Sequence, residues 1–271
     1  MLEDKVLTLI GAGKLGEALV LGLLKNSGLA KDDIRATVGH EESVKRAVDK
    51  LGVATGLDNK AAVDGADIII LAVKPQKMES ILAQIAPVLK PEQLIISVAA
   101  SITTSYIQQR LKGDNPVIRA MPNTPSIMNA GMTGLCGGEH AKEIHLAQAE
   151  QIFKCVGETV FLDESLMDGV TALSASGPAY LYVVIESLAE AGVKLGIPRD
   201  TSTLLAAQTM YGAAKMVLES KAQPALLKDM VTTPAGCTID GLMELEEGKL
   251  RVTLIKAVVT AAKRASELVE S

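Results

Sequence analysis

A doubly wound parallel α/β domain followed by an all-helical domain is the fold class that this 271-residue sequence predicts, from three observations. Short apolar runs alternate with amphipathic stretches through residues 1–162. One of those runs leads directly into a glycine-rich turn, GAGKLG, at 11–16. From residue 163 onward the strand pattern disappears and only helical periodicity remains. Strand, helix and strand at this spacing argue a parallel sheet covered by helices on both faces. The change of pattern divides the chain into 1–162 and 163–271, with no linker, repeat or low-complexity segment to mark the boundary.

Residues 5–10 (KVLTLI) form a short apolar strand, the turn follows, and an amphipathic stretch runs to Leu24. Residues 34–38 are the second strand. Residues 66–73 (ADIIILAV) are apolar without alternation, as a strand buried on both faces should be. Residues 93–99 (QLIISVA) and 116–121 (PVIRAM) bring the strands to five, separated by helical stretches at 41–51, 76–89 and 103–112. In the second half, 181–195, 202–219 and 252–270 read as helices. Pro178 and Pro198 stand where a helix can start, because the first helical N–H has no partner to lose. Within 201–218 the apolar residues, Leu204, Leu205, Met210, Tyr211 and Leu218 among them, point in nearly every direction around a helix. A helix apolar on most faces must be surrounded. The residues after 163 supply few neighbours, so a second subunit is expected to cover it.

Composition narrows the function classes. Hydrophobic residues make up 48% but aromatics only 2%, and Trp is absent, so the core is aliphatic. A formal net charge of −5, without basic runs, gives no footprint for nucleic acid. The start, MLEDKVLTLIG, has acids where a signal peptide carries its basic region, and no apolar run reaches membrane-spanning length. Cys136, Cys155 and Cys237 are scattered and odd in number, which fits reduced thiols in a cytoplasmic protein. His40, His140 and His145 lack any metal-ligand spacing, so no metal is expected.

GAGKLG is GxGxxG between a strand and a helix, the setting in which it binds dinucleotides in a Rossmann-type domain. Gly11 permits the tight turn, Gly13 the approach of pyrophosphate and Gly16 close helix–strand packing, with Ala12, Lys14 and Leu15 between them. An NAD enzyme usually ends its second strand with an acid that holds the ribose 2′-OH. Here that strand ends Thr37-Val38-Gly39-His40, and Glu41 and Glu42 fall in the following helix. The missing acid leaves room for a 2′-phosphate, with His40, Lys45 and Arg46 nearby; the same residues also read as ordinary solvated helix positions. NADPH is therefore the expected cofactor, with NADH possible. The carboxyl ends of the later strands should face it: Ala72-Val73-Lys74-Pro75, Val98-Ala99-Ala100-Ser101, and Met121-Pro122-Asn123.

One stretch in the helical half breaks its own pattern. In LKDMVTTPAGCTID, at 227–240, Pro234 and Gly236 stop one helix and another starts immediately. The start of the second helix leaves bare N–H groups that attract anions. Such a break is a connector or half of a binding site.

GAGKLG, AVKP (72–75), SVAA (97–100), RAMPNTP (119–125), SASGPAYLY (174–182) and LKDMVTTPAGCTIDGL (227–242) occur here in the order found in pyrroline-5-carboxylate reductases, and the chain resembles that family from Ile10 to Leu254. The resemblance implies a Rossmann domain and a helical domain like that of the 6-phosphogluconate dehydrogenase superfamily. It implies that the helical domain interleaves with a partner's in a homodimer, often assembled further. The reaction implied is reduction of a cyclic imine, L-1-pyrroline-5-carboxylate, to L-proline with NAD(P)H, the last step of proline biosynthesis. It also adds Asn59 to the cofactor contacts. Such a reaction needs orientation more than acid–base machinery. The backbone N–H groups of Gly236, Cys237 and Thr238 can hold the carboxylate, and the Thr238 hydroxyl can reach the ring nitrogen. The resemblance implies the same placement, with this loop coming from the partner subunit; Thr233 is a second contact and Glu164 a substrate neighbour. Thr238 reads equally as a helix N-cap. Lys74 is positional, and Cys237 lies beside no candidate base.

The chain departs from the family pattern at two places. Gln223-Pro224-Ala225 stands where the family usually has His-Pro-Gly, and Thr233-Pro234-Ala235-Gly236 where it has Ser-Pro-Gly-Gly. Ala235 argues against a left-handed backbone at that position. The rival readings are another imine reductase, a 3-hydroxyacid dehydrogenase and a non-catalytic NADP-binding sensor. The dehydrogenase needs a lysine at the start of its helical domain, and none occurs between Thr171 and Lys194. The sensor has no reason to keep the 227–242 loop.

Overall fold

The computed structural model describes Leu2 and residues 4–111 and 113–267. They form two compact units, Met1–Ser176 together with Ala261–Ser271, and Gly177–Thr260.

The first unit is built on an eight-stranded sheet of β1 (Leu7–Ile10), β2 (Ile34–Thr37), β3 (Ala54–Gly56), β4 (Ile68–Leu71), β5 (Leu94–Ser97), β6 (Val117–Met121), β7 (Gly131–Gly137) and β8 (Gly157–Phe161). Their spatial order is β3-β2-β1-β4-β5-β6-β7-β8. The first six are mutually parallel, β7 runs antiparallel to β6, and β8 is parallel to β7. The order reverses between β1 and β4, the switch point at which such sheets bind nucleotides.

Around the sheet lie α1 (Lys14–Asn26), α2 (Glu41–Leu51), α3 (Asn59–Val63), α4 (Pro75–Ile85), α5 (Thr104–Leu111) and α6 (Glu143–Lys154). Alternation along each strand sends neighbouring side chains to opposite faces. Leu9, Ile70 and Ile96 therefore pack with Leu19 and Leu23 of α1 and Phe153 of α6. On the other face Ile69, Leu71 and Ile95 pack with Met78 and Leu82 of α4 and Ile107 of α5.

The five expected strands are present, each shorter than its apolar run. The sheet also contains β3, β7 and β8, and the unit α3 and α6, which the apolar runs did not announce. The stretch 76–89 is α4 followed by a 3₁₀ turn at Ala86–Val88, where Pro87 cannot continue the helix. The stretch 103–112 is α5, with residue 112 outside the described residues.

After β8 come a 3₁₀ turn at Glu164–Leu166, the short α7 (Met167–Val170) and a π-helical turn at Thr171–Ala175. The compact units divide at 176/177 rather than 162/163. Residues 164–176 are tied to the sheet by Glu164 and Asp168 against Arg119, and by Asn123 against Ser174.

The second unit holds α8 (Gly177–Lys194), α9 (Arg199–Ser220), α10 (Pro224–Met230), α11 (Cys237–Glu247) and the first part of α12 (Leu250–Glu267). They account for the helices expected at 181–195, 202–219 and 252–270, of which 268–270 lie outside the described residues. Pro198 is the N-cap of α9, and Pro178 lies in the first turn of α8. Helices α8 and α9 meet closely, since a Cβ on Gly192 would fall 2.6 Å from Ser202 Oγ. Away from that seam α9 is uncovered, with Leu204, Tyr211 and Leu218 more than half exposed. Among the described residues no helix is long and apolar enough to cross a membrane, and no cluster of His, Cys, Asp or Glu could hold a metal.

Candidate active site

The turn after β1 is anchored to the end of β2: the N–H groups of Gly11 and Ala12 donate to the Thr37 carbonyl at 3.1 and 2.8 Å. Gly11 holds φ 97°, and a Cβ there would fall 2.7 Å from the Ala72 carbonyl. At Gly16 a Cβ would meet the Gly11 carbonyl at 2.7 Å and Leu9 Cδ2 at 2.8 Å. Gly13 differs, since a Cβ there would meet nothing within 4 Å. Gly13 is the N-cap of α1 and makes no side-chain cap. The first N–H of this helix to find a helical carbonyl is that of Glu17, bonded to Gly13 at 2.8 Å. The N–H groups of Lys14, Leu15 and Gly16 come before any such acceptor and form an anion site. The three glycines thus have the geometry that a dinucleotide turn requires, and the cradle fits a pyrophosphate.

On the ribose side, Val38 is buried while Gly39 and His40 are exposed at the start of α2. The Thr37 hydroxyl donates to Asn59 Oδ1 at 2.7 Å, and Asn59 Nδ2 donates to Gln84 Oε1 at 2.9 Å. Sequence reading missed Glu17, whose side chain is 8% exposed and pairs with Lys50 at 2.6 Å and Arg46 at 3.4 Å. Of the cations expected beside a 2′-phosphate, Arg46 already has a carboxylate, whereas His40 and Lys45 are exposed.

The carboxyl ends of β4, β5 and β6 follow along the same edge. The Ala72 N–H donates to Ile10 and that of Val98 to Leu71, which carries Val73, Ala99 and Ala100 to the edge. Lys74 is the extended N-cap of α4, and Pro75 its first residue. The Asn123 side chain is a structural pin: Oδ1 accepts from the Met132 N–H at 2.9 Å and Nδ2 donates to the Ser174 carbonyl at 3.3 Å.

Glu164 has partners of its own. Its Oε1 accepts from the Thr104 N–H at 2.7 Å and its Oε2 from the Thr104 hydroxyl at 2.6 Å, with Arg119 Nη1 3.7 Å away. Cys136 lies opposite Arg119 in the β6–β7 register, and burial, aided by the Glu164 charge, pushes its thiol up to about 12.

In the second unit, α10 ends at Met230 and α11 begins at Cys237. Ala235 holds φ 55°, so the left-handed conformation that its methyl group argued against is adopted. Gly236 follows as the extended N-cap of α11, and its N–H donates to the Thr233 carbonyl at 3.0 Å. A Cβ on Gly236 would collide with Thr233 Oγ1, so a side chain here would have to push the Thr233 hydroxyl aside. Two corrections follow. The Gly236 N–H is taken, which leaves Cys237 and Thr238 as the groups with no earlier helical carbonyl. Thr238 is the second residue of the helix and not its N-cap.

The chain is 41% identical over 267 residues to the pyrroline-5-carboxylate reductase of Methanosarcina acetivorans, covering 98% of this chain and 99% of that relative. It belongs to the pyrroline-5-carboxylate reductase family. Residues 164–268 match the family model for pyrroline-5-carboxylate reductase dimerisation. Residues 6–101 match that for NADP oxidoreductase, coenzyme F420-dependent, so the first unit carries a nicotinamide-nucleotide module. A solved pyrroline-5-carboxylate reductase from Coxiella burnetii superposes with a TM-score of 0.92 at 36% identity, covering 98% of this chain and 99% of that one. A second, from Plasmodium falciparum with NADP bound, gives 0.88 at 30% identity, covering 98% and 99%. For a pyrroline-5-carboxylate reductase family member, the 231–236 loop and the dimerisation match fall in the same helical half, and the glycine turn in the other.

Proposed function

We propose that this chain reduces the C=N bond of L-1-pyrroline-5-carboxylate to give L-proline, with NADPH as the preferred reductant, as the last step of proline biosynthesis in the cytoplasm. The observation that carries the reading is the 233–238 loop. A left-handed residue and a closely packed glycine turn the chain into α11, whose first two residues bring two N–H groups and a threonine hydroxyl to the helix start. When bound, the nicotinamide supplies a hydride. The Cys237 and Thr238 N–H groups hold the substrate carboxylate at the positive end of α11. The Thr238 hydroxyl orients the ring nitrogen, with Thr233 as a further contact. Holding the imine in one orientation supplies most of what such a reaction needs from protein.

The turn of Gly11, Ala12, Gly13, Lys14, Leu15 and Gly16 holds the pyrophosphate. Val38, Gly39, His40 and Asn59 hold the ribose, and Ala72, Val73, Lys74, Pro75, Ala99, Ala100 and Asn123 line the nicotinamide end. The absence of an acid at the end of β2, with His40 and Lys45 exposed beside it, supports NADPH over NADH. Residues 1–162 and 163–271 are the functional division, cofactor against substrate and assembly, and the protein works as a homodimer or a larger assembly.

The test is to mix protein with the five-membered imine and NADPH and to follow the loss of nicotinamide absorbance with formation of proline. Turnover of a 3-hydroxyacid instead, or binding of NADPH without imine turnover, contradicts the reading.

A further inference from the structure

Arg119 points from β6 into the interior at 2% exposure, where a guanidinium needs partners or becomes very costly. Its place in the sheet is fixed by register, opposite Ser97, the last residue of β5. Nη2 lies 3.2 Å from Asp168 Oδ1 and Nη1 3.7 Å from Glu164 Oε1. Glu164 in turn directs both carboxylate oxygens at Thr104, one to the backbone N–H and one to the hydroxyl. Thr104 is the first residue of α5 and is 5% exposed.

Between β5 and α5 runs the turn that carries Ala99 and Ala100. It includes Ser101 at φ 63°, a left-handed conformation that a non-glycine residue keeps only when its surroundings hold it. The Ser101 hydroxyl donates to the Ala265 carbonyl at 3.1 Å, and Glu164 grips the other end of the turn at Thr104. Both carboxylate oxygens are thus engaged at Thr104. Withdrawing the carboxylate toward a ligand would leave Arg119 with Asp168 as its one carboxylate partner and the Thr104 N–H without its acceptor.

We propose that Glu164 does not touch the imine and is instead a positioning residue for the cofactor: held by Arg119, it fixes the start of α5 and so the Ala99–Ala100 turn. This rests on the reading that the β5 end faces the nicotinamide nucleotide. The role explains why a charged group sits here rather than an apolar one. Backbone N–H and hydroxyl can both be held by one carboxylate, and the buried guanidinium 3.7 Å away helps to hold that carboxylate in place.

The experiment compares full-length wild type, Glu164→Gln, Thr104→Val and Thr104→Ser by fluorescence titration with NADPH, imine KM and Tm. Glu164→Gln is expected to weaken NADPH binding about tenfold, the loss of one charge-assisted bond, with imine KM unchanged. Thr104→Val removes only the hydroxyl and should weaken NADPH by less, in the same direction, while Thr104→Ser restores wild-type affinity. Combining Glu164→Gln with Thr104→Val should cost no more than Glu164→Gln alone, because both break one link. A raised imine KM with unchanged NADPH affinity overturns the proposal in favour of direct substrate contact. A lower Tm with both constants unchanged overturns it in favour of a merely structural role. Where Glu164→Gln fails to fold, the two Thr104 variants decide by the same criteria. Wild type that binds no NADPH overturns the functional reading as well; wild type that binds it, with the variants unchanged, overturns this role alone.

Discussion

At Ala235 a residue with a methyl group holds φ 55°, a conformation that costs an L-residue roughly 1–2 kcal/mol. Ala235→Gly removes that strain but adds freedom to the unfolded chain, worth about 0.4–1 kcal/mol. The net expectation is a stability gain of up to about 1.5 kcal/mol, read by denaturant unfolding; a loss would mean that the methyl group makes contacts that matter more than its strain. The cysteines give a second prediction at this scale. Burial pushes the thiols of Cys136 and Cys155 up, the former to about 12, while Cys237 is exposed. Thiol labelling of the native protein near neutral pH should therefore spare Cys136 and Cys155 and reach both once denaturant is added. Rapid native labelling of Cys136 would contradict this burial. The candidate site residues could be named from local motifs, but what each one touches could not. Glu164 binds Thr104 across 60 positions and Glu17 binds Lys50 across 33, and no local pattern records such pairings.

The glycine turn separates two roles within one element. A methyl group at Gly13 meets only open space, whereas at Gly16 it meets Leu9 and the Gly11 carbonyl. Gly13→Ala should keep the wild-type Tm and lose NADPH affinity, while Gly16→Ala should lower Tm as well. Equal losses of Tm in both variants would show that Gly13 is structural rather than a place kept clear for phosphate. Legibility follows the same physics. Strands β1, β4, β5 and β6 are buried on both faces and appear as mainly apolar runs, interrupted at Thr8, Ser97 and Arg119. Strand β3 is a three-residue edge, and β8 is half-exposed and starts Gly157-Glu158-Thr159, so neither has an apolar run to read. Strand β7, GMTGLCG, looks like a loop because three of its seven residues are glycine. At Gly134 that is a packing demand, since a Cβ would lie 2.9 Å from Val170. Helix α6 buries Ala149, Ile152 and Phe153 on one face, a readable period hidden between two strands that were not.

The whole molecule must cover the helical unit. Leu195 is 82% exposed and Leu218 74%, with Met243, Leu204 and Val259 more than 60%, an apolar surface far beyond what a soluble monomer usually carries. The dimerisation match over residues 164–268 names the occupant as a second copy. Sedimentation is expected to show no well-folded monomer on dilution; a stable, active monomer at nanomolar concentration would contradict the assembly. The central claim is that the loop ahead of α11 recognises the imine while the glycine turn holds the nucleotide. The direct measurement is kcat/KM for the imine in wild type, Thr238→Val and Thr238→Ser, with NADPH affinity and Tm recorded on the same preparations. Removing one hydrogen bond to a charged group costs about 1.5–3 kcal/mol, so Thr238→Val should lose about 10–150-fold in kcat/KM. NADPH affinity should not change, and Tm should hold because Gly236, not Thr238, caps the helix. Thr238→Ser should recover most of the activity. A valine variant with wild-type kcat/KM would show that the loop is a connector and that the imine is bound elsewhere.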